Sequence, residues 1–284
     1  MHDSDMTAHC NPPTSGAIAR WLARAQAKAH RPPTAPRAPL WLGGAEIGSV
    51  EPGFCAQLPQ PQLAMLRLRM EQREDGWHLH GIGPSAGSGS ELLNRLAALM
   101  REHGLCGPWR DEQLAVHDAQ GLRVASIERG AVRPLAITTR AVHLIGLASD
   151  GRMWVQQRAL GKPTHPGKLD TLMGGMVSAT DTLLRAVERE TWEEAGLRVD
   201  QLQTLHHGGF LELSCPSEDE GHGFMRERVD WFVATVPDHL CPANQDGEVQ
   251  GFELLGRQQL AHWLVAERFT PEASLVLAAY LGWR

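Results

Sequence analysis

The strongest constraint on the fold is the segment GGMVSATDTLLRAVERETWEEAGL, which runs from residue 174 to residue 197. Glu188, Glu190, Glu193 and Glu194 fall within seven residues of a stretch that otherwise has the pattern of one helix. Like charges at helical spacing repel, so a purely structural helix would avoid this arrangement or interleave lysines. The last three glutamates have the i, i+3, i+4 spacing that directs side chains to one face. The pattern therefore predicts a positive partner that the sequence itself does not supply.

The ends of this helix are predicted from residues that favour caps. Ser178, Thr180 or Asp181 can cap its start, and Gly196 can adopt the left-handed conformation that ends a helix. The predicted inward-facing residues are Leu183, Leu184, Val187 and Thr191.

Three converging carboxylates favour a hard divalent cation, Mg²⁺ or Mn²⁺, because zinc normally takes histidine or cysteine ligands. The pair Gly174-Gly175 lets the backbone approach, so a carbonyl oxygen there is a further candidate ligand. The alternative is a salt-bridged surface helix in which Arg185 and Arg189 are the partners. Charge pattern alone leaves both interpretations open.

The spacing of the whole segment separates the two interpretations. Gly175, five residues, Asp181, seven residues and then RETWEEAGL, beginning at Arg189, resemble the Nudix box, Gx5Ex7REUxEExGU with U aliphatic. Asp181 replaces the family's first glutamate, and Thr191 occupies an aliphatic position. The fixed positions span a loop, a helix and its cap, which makes the motif highly specific.

The resemblance implies a set of roles. Glu190, Glu193 and Glu194 would hold the cation together with the carbonyl oxygen of Gly174, and Arg189 would orient or neutralise the glutamates. The expected catalytic residues are Arg189, Glu190 and Glu194, with Glu190 as a candidate general base and Asp181 as support. The family hydrolyses a diphosphate linked to another moiety by attack of an activated water at phosphorus.

Acidic and basic residues outside the box complete the predicted site. We expect a further acidic ligand there, with Glu248 in QDGEVQGF as the first choice and Glu212 and Glu227 as alternatives. The segment before the box carries positive charge suited to phosphate oxygens, together with an aspartate that accepts a bond from a ring amine or organises the loop. These candidate substrate-binding residues are Arg158, Lys162, His165, Lys168 and Asp170.

Several further stretches narrow the resemblance. WRDEQLAV (109–116), IERGA (127–131), VHLIG, QRALGKPTHPGKLDTLMGGMV and DGEV together look like the Nudix hydrolases linked to thiamine pyrophosphokinase, which carry a dedicated N-terminal domain. This resemblance implies thiamine diphosphate, or its oxidised or damaged analogues, as substrate. Nucleoside diphosphate derivatives stay an alternative, as does a non-catalytic ligand-binding sensor. Isoprenoid diphosphate isomerisation is disfavoured because no cysteine lies between Cys106 and the box.

Hydrophobic periodicity and turn residues divide the chain into three parts. Residues 1–39 are predicted to form a helix and a proline-rich linker, and residues 40–134 a small α+β domain of hairpins and one helix. Residues 135–284 show mixed strands with helices on both sides, which predicts a three-layer α/β/α sandwich around a mixed sheet. The predicted fold class is thus an α/β Nudix sandwich preceded by a small α+β domain.

Composition bounds the partners. The net charge of −6 and pI near 6.2 argue against nucleic acid or membrane as a partner and favour a small-molecule diphosphate. Five widely spaced cysteines without a CxxC pair predict reduced thiols, and the start of the chain lacks a secretory signal, so we expect a cytoplasmic protein. Closure of the N-terminal domain over substrate and homodimer formation both stay open.

Overall fold

The computed structural model describes residues 12–84, 87–217 and 223–283. Its helices are α1 (Ser15–Ala29), α2 (Gln60–Met65), α3 (Gly89–Glu102), α4 (Leu183–Ala195), α5 (Arg257–Val265) and α6 (Pro271–Tyr280). Its strands are β1 (Ala38–Leu42), β2 (Ala45–Val50), β3 (Leu68–Arg73), β4 (Gly76–Gly81), β5 (Gln113–His117), β6 (Arg123–Glu128), β7 (Thr138–Leu147), β8 (Met153–Arg158), β9 (Leu169–Asp170), β10 (Met173–Met176), β11 (Gln203–Pro216), β12 (Phe224–Thr235) and β13 (Val249–Leu255).

The larger sheet is mixed, with the strand order β11-β12-β7-β8-β13, while β10 pairs with β7 and β9 with β8. Strands β7 and β12 run parallel, and the other neighbours are antiparallel. Alternate residues of β7 enter different cores: Val142 and Leu144 pack with α4, whereas Ala141 and Ile145 pack with α1, α5 and α6. The prediction of a three-layer α/β/α arrangement around a mixed sheet is confirmed.

The N-terminal unit has a core of its own. A four-stranded sheet, β2-β1-β4-β3, and the β5-β6 hairpin pack with α2 and α3 around a buried cluster that extends from Leu40 to Ile137. All the hairpins predicted for this region are present, but the prediction of one helix was wrong, because the short helix α2 precedes α3. The last member of this cluster, Ile137, directly precedes β7 of the larger sheet, so we keep the division at residues 134 and 135 as our proposal.

Helix α1 lies against the larger sheet's core, although about a hundred residues of the N-terminal unit separate them in sequence. Thr14 caps its start through a hydrogen bond from Ala17 N. Trp21 and Leu22 are buried, and the Trp21 ring meets that of Trp283 edge-on with centroids 5.6 Å apart. The helix therefore covers a surface that α5 and α6 would otherwise leave exposed.

Two further findings concern the described residues only. Within them, every helix falls short of the length and apolarity that crossing a bilayer requires. Cys55, Cys106, Cys215 and Cys241 are not joined to one another by disulfides, while Cys10 lies outside the described residues.

Truncation of Trp21 tests the packing of α1. We expect Trp21→Ala to lower the free energy of unfolding by about 3–5 kcal/mol, since a large buried ring is lost from the core. Urea denaturation followed by circular dichroism measures the change. The matched control is Gln26→Ala at an exposed position of the same helix, and equal stability of the two variants would contradict the packing described.

Candidate active site

Helix α4 presents its acidic face as the sequence predicts, although its start differs. Thr182 is the N-cap, and its hydroxyl accepts a hydrogen bond from Arg185 N at 3.2 Å. The prediction of Ser178, Thr180 or Asp181 as cap was wrong, and the carboxylate of Asp181 is instead bonded to Arg189. Gly196 ends the helix at φ +62°, as predicted.

The inward stripe of α4 was predicted correctly except at one position. Val187 and Thr191 are fully buried, but Leu184 is 55% exposed and Ala186 takes the buried position. The stripe also includes Glu194, which is only 3% exposed. A carboxylate therefore lies within the contact between α4 and the sheet.

The glycine pair on β10 lies in close contact with residues on both sides. A Cβ atom on Gly175 would lie 2.0 Å from Cδ of Glu190, and one on Gly174 would lie 2.7 Å from the ring of His143. A side chain at Gly174 would clash with the buried imidazole, and one at Gly175 would displace the Glu190 carboxylate. Glycine at these two positions lets β10 lie between the acidic helix and β7.

A buried hydrogen-bond network fixes the backbone before the glycine pair. The hydroxyl of Thr171 donates to the carbonyl oxygen of Met173 at 2.7 Å and lies 2.9 Å from Nδ1 of His143. Since that hydroxyl proton is used, Nδ1 of His143 is the donor in the second bond. Burial lowers the pKa of His143, which keeps the imidazole neutral. The network holds Gly174 and Gly175 in register with β7.

One arginine donates hydrogen bonds to three carboxylates at the acidic face. Arg189 Nε donates to Asp181 at 3.0 Å, and its Nη1 donates to Glu190 at 2.8 Å and to Glu193 at 3.0 Å. Its Nη2 donates to the carbonyl oxygen of Met176 at 3.0 Å. Arg185, by contrast, pairs with the exposed Glu188. A single positive charge is thus shared among three negative ones.

Glu194 has no cationic partner among the described residues. Its Oε2 accepts hydrogen bonds from Gly174 N at 2.9 Å and from Gln156 Nε2 at 2.8 Å. Gln156 was not predicted from the sequence, because it differs from its neighbour Gln157 on β8 only in the face of the sheet on which its side chain lies. The Oε1 atom of Gln156 is buried without a hydrogen-bond partner.

The protein disfavours the ionised form of the two buried carboxyls. Burial, the main cause, raises the pKa of Glu190 to about 7; the charges of Glu193 and Glu112 raise it further, while Arg189 opposes them. Burial also raises the pKa of Glu194 to about 8, and the charge of Glu190 adds to this effect. Buried carboxyls that bind protons so readily are groups whose charge lacks compensation.

A hard divalent cation fits this donor set. Glu190, Glu193 and Glu194 offer oxygen ligands on one helix face beside the Gly174 backbone, as Mg²⁺ or Mn²⁺ requires. Among the residues that the structure describes, no three acidic, histidine or cysteine side chains already converge at metal-binding distance, because Arg189 holds two of the carboxylates. Cation binding at this face would therefore require Glu190 and Glu193 to turn away from Arg189.

Glu248 lies on a loop that contacts the acidic helix. The amides of Ala243 and Gln245 donate to the carbonyl oxygens of Ala195 at 2.8 Å and Glu193 at 3.1 Å. The Glu248 side chain is half-exposed and forms an ion pair with Lys162. This position keeps Glu248 as the candidate extra ligand.

The alternatives to Glu248 lie elsewhere. Glu227 is buried and bonded to Arg133 and Thr139, and Glu212 is exposed on the edge strand β11. We therefore no longer favour either as a ligand.

Two of the predicted substrate-binding residues, Arg158 and Asp170, lie at the two ends of the loop between β8 and β9 and are bonded to other protein groups. Arg158 donates to the carbonyl oxygen of Thr164 and lies 3.7 Å from Asp170. Asp170 is buried and accepts from Thr171 N and the Thr270 hydroxyl. These contacts favour a role in organising the loop for both residues.

The last two candidates in this loop differ from each other. Lys168 donates to the carbonyl oxygen of Glu267, between α5 and α6, at 2.6 Å. His165 is half-buried in the loop with φ +49°. Lys162 and His165 therefore stay the better candidates for direct contact with a substrate.

The glutamate-bearing helix, the mixed sheet below it and the glycine pair before it form the arrangement that the sequence resemblance implies. The NUDIX domain family matches residues 137–278, half of the chain. An uncharacterized Nudix hydrolase of Escherichia coli, YfcD, is 34% identical over 160 residues, which are 56% of this chain and 80% of that protein. The chain belongs to the Nudix hydrolase family.

Two relatives with lower sequence identity match different shares of this chain. Nudix hydrolase 24, chloroplastic, of Arabidopsis thaliana is 29% identical over 55% of this chain and 43% of its own length. The uncharacterized protein YJR142W of Saccharomyces cerevisiae is 26% identical over 68% of this chain and 61% of its own length. The chain thus spans about half of the length of these relatives. The crystal structure of DR0079 from Deinococcus radiodurans superposes with a TM-score of 0.47 at 20% identity, covering 61% of this chain and all of that one.

The raised pKa values predict how the metal-free protein responds to pH. The folded protein binds protons at Glu190 and Glu194 that the unfolded chain has released, between the ordinary carboxyl pKa of 4.5 and the values of about 7 and 8. The free energy of unfolding contributed by these groups therefore falls as pH rises through this window.

Urea denaturation in EDTA at several pH values measures this dependence. We expect Glu194→Gln to flatten it, because the amide does not titrate, whereas Glu188→Gln on the exposed face leaves it unchanged. An unchanged pH dependence in Glu194→Gln would contradict the assignment.

Proposed function

We propose that the chain is a Mg²⁺- or Mn²⁺-dependent pyrophosphohydrolase in which Glu190, Glu193 and Glu194, with the carbonyl oxygen of Gly174, hold the cation. The observation that supports this proposal most strongly is the burial of Glu194 without a cationic partner among the described residues. Burying a charge is costly unless it is paired, and a divalent cation would supply the missing partner. A purely structural helix face would leave Glu194 uncompensated.

The proposed roles follow from the contacts of each side chain. Glu190 is the candidate general base that the resemblance implies, and it lies on the acidic face beside Gly175. Before a cation binds, Arg189 holds Glu190 and Glu193 by hydrogen bonds, and Asp181 holds Arg189. When bound, the cation would lower the pKa of a water and offset charge on the phosphoryl oxygens. The reaction adds water across the P–O–P bond and releases two phosphate products.

The proposed substrate is thiamine diphosphate or an oxidised or damaged analogue, cut to the monophosphate and phosphate. Support comes from the resemblance of residues 109–116, 127–131 and 157–177 to the Nudix hydrolases linked to thiamine pyrophosphokinase. The half-buried Lys162 and His165 lie in the third of these segments and offer positive charge to a diphosphate. Glu248 is proposed as the additional ligand beside them.

The remaining proposals concern location and partners. The acidic composition favours a cytoplasmic location and a small-molecule substrate rather than nucleic acid or membrane. A homodimer stays a proposal. The sensor alternative is disfavoured because all three box glutamates are present on α4.

Variants of the box glutamates test the chemistry. We expect Glu193→Gln or Glu194→Gln to lower kcat/KM for Mg²⁺-dependent phosphate release by about 100-fold or more, because each removes a charged oxygen ligand. A coupled phosphate assay on oxidised thiamine diphosphate measures the rates, and Glu188→Gln is the matched control. Wild-type activity in Glu194→Gln would overturn the mechanism.

A substrate panel tests the specificity separately. It compares thiamine diphosphate and its oxidised forms with nucleoside diphosphate derivatives under the same Mg²⁺ concentration. Preferential turnover of the thiamine compounds is the expected result. Rapid turnover of a nucleotide and none of any thiamine diphosphate would overturn the proposed substrate while leaving the hydrolase assignment intact.

A further inference from the structure

A small cavity lies between the N-terminal unit and the loop that leads into the acidic helix. Its volume is about 130 Å³. Strands β5 and β6 of the N-terminal unit form one side, and β7 with the loop between β10 and α4 forms the other. Ala179 N donates to the carbonyl oxygen of Gln113 at 2.7 Å, and Val177 N donates to that of Arg140 at 2.8 Å. Backbone hydrogen bonds therefore join the two sides of this junction cavity.

Three basic side chains line the junction cavity: His117, Arg123 and Arg140. His117 and Arg123 are paired across β5 and β6, which brings their side chains to the same face of the hairpin. Arg140 reaches the cavity from β7, on the other side. Burial lowers the pKa of the half-buried His117, and the charges of Arg140 and Arg123 lower it further. This effect agrees with the placement of the three side chains around one space.

Two carboxylates near the cavity are bonded to other cations. Asp181 also lines the cavity, but its carboxylate accepts a hydrogen bond from Arg189 at 3.0 Å. Asp230 accepts a hydrogen bond from Arg140 at 3.4 Å, and it accepts two shorter ones from Arg228, each of 3.0 Å. Because Asp230 is shared between two arginines, it offsets the charge of Arg140 only in part.

The guanidinium group of Arg140 is not fully satisfied by the protein. Its Nε atom is buried without a hydrogen-bond partner among the described residues. A buried N–H group without an acceptor is destabilising, and an oxygen ligand would relieve that cost. On the other side of the cavity, Nη1 of the exposed Arg123 donates to the carbonyl oxygen of Ala179 at 2.5 Å, which holds this side chain at the junction.

The size and surroundings of the cavity favour a small oxyanion. Pockets for ligands of drug size have volumes of about 300–1,000 Å³, so a nucleotide or a coenzyme would not fit. Thr182, the N-cap of α4, and Leu183, its first residue, line the cavity as well. The N-terminal end of a helix carries partial positive charge, which adds to that of the two arginines. Guanidinium groups match the oxygen atoms of phosphate in geometry and charge.

We propose that the junction cavity binds inorganic phosphate between Arg123 and Arg140. This site is separate from the cation site on the acidic face, and the proposal does not depend on the hydrolase function. Because one arginine comes from the N-terminal unit and the other from the catalytic domain, the bound anion would join the two. A ligand that binds only the folded chain also stabilises it against unfolding.

Isothermal titration calorimetry of the full chain with inorganic phosphate tests the proposal. EDTA keeps the protein free of divalent cations, so phosphate bound through a cation at the acidic face does not contribute. We expect saturable binding at one site. Arg140→Gln should raise the Kd about tenfold or more, because a charge-assisted hydrogen bond is lost, while Arg140→Lys keeps the charge and should lose less. Arg152→Gln, at an exposed arginine paired with Asp150, is the matched control and should bind as the wild type does.

A variant without a change in charge tests the location of the site. Ala115 lines the cavity, so Ala115→Leu should fill the space and abolish phosphate binding. Circular dichroism verifies that each variant is folded. Absence of saturable phosphate binding by the wild-type chain would overturn the proposal, as would a wild-type Kd in both Arg140→Gln and Ala115→Leu. Neither result bears on the cation site, which the hydrolysis assay tests separately.

Discussion

The arrangement of the catalytic domain depends on the burial of carboxylates between α4 and β10. Glu194 is almost fully buried with hydrogen bonds from Gly174 and Gln156, and Glu190 packs directly on Gly175. A helix can lie this close to a strand where the strand has no side chains at the contact, and the glycine pair provides such a contact. Arg189 offsets only part of the negative charge. A divalent cation would stabilise the ionised form of these carboxyls, which burial disfavours.

Contacts around the helix keep this arrangement in place. The hydroxyl of Thr182 caps its start, and the left-handed Gly196 ends it. The loop containing Gln245 is bonded to the last turn, while β5 of the N-terminal unit is bonded to the loop before the first turn. Both ends of α4 are thus tied to other parts of the chain. These contacts hold the acidic face against the sheet, so Glu194 stays buried.

Local sequence was enough to predict the helix, its final cap, the acidic face and most strands, because each depends on spacing within one segment. The N-cap could not be predicted, since Asp181 bonds to Arg189 eight residues away rather than to the helix start. Lys168 was grouped with the substrate-binding residues by sequence, yet its ammonium group reaches Glu267, which lies ninety-nine residues away. Gln156 was missed for the same reason: its partner Glu194 lies thirty-eight residues away, on the helix that packs on the sheet.

The most direct test of the account is anomalous diffraction from crystals of the full chain grown with saturating Mn²⁺. The account predicts an anomalous peak between the carboxylates of Glu190, Glu193 and Glu194, next to the backbone of Gly174. Glu190 and Glu193 should then have turned from Arg189 toward the ion. An absence of any peak at that face, with Glu190 and Glu193 still bonded to Arg189, would contradict it.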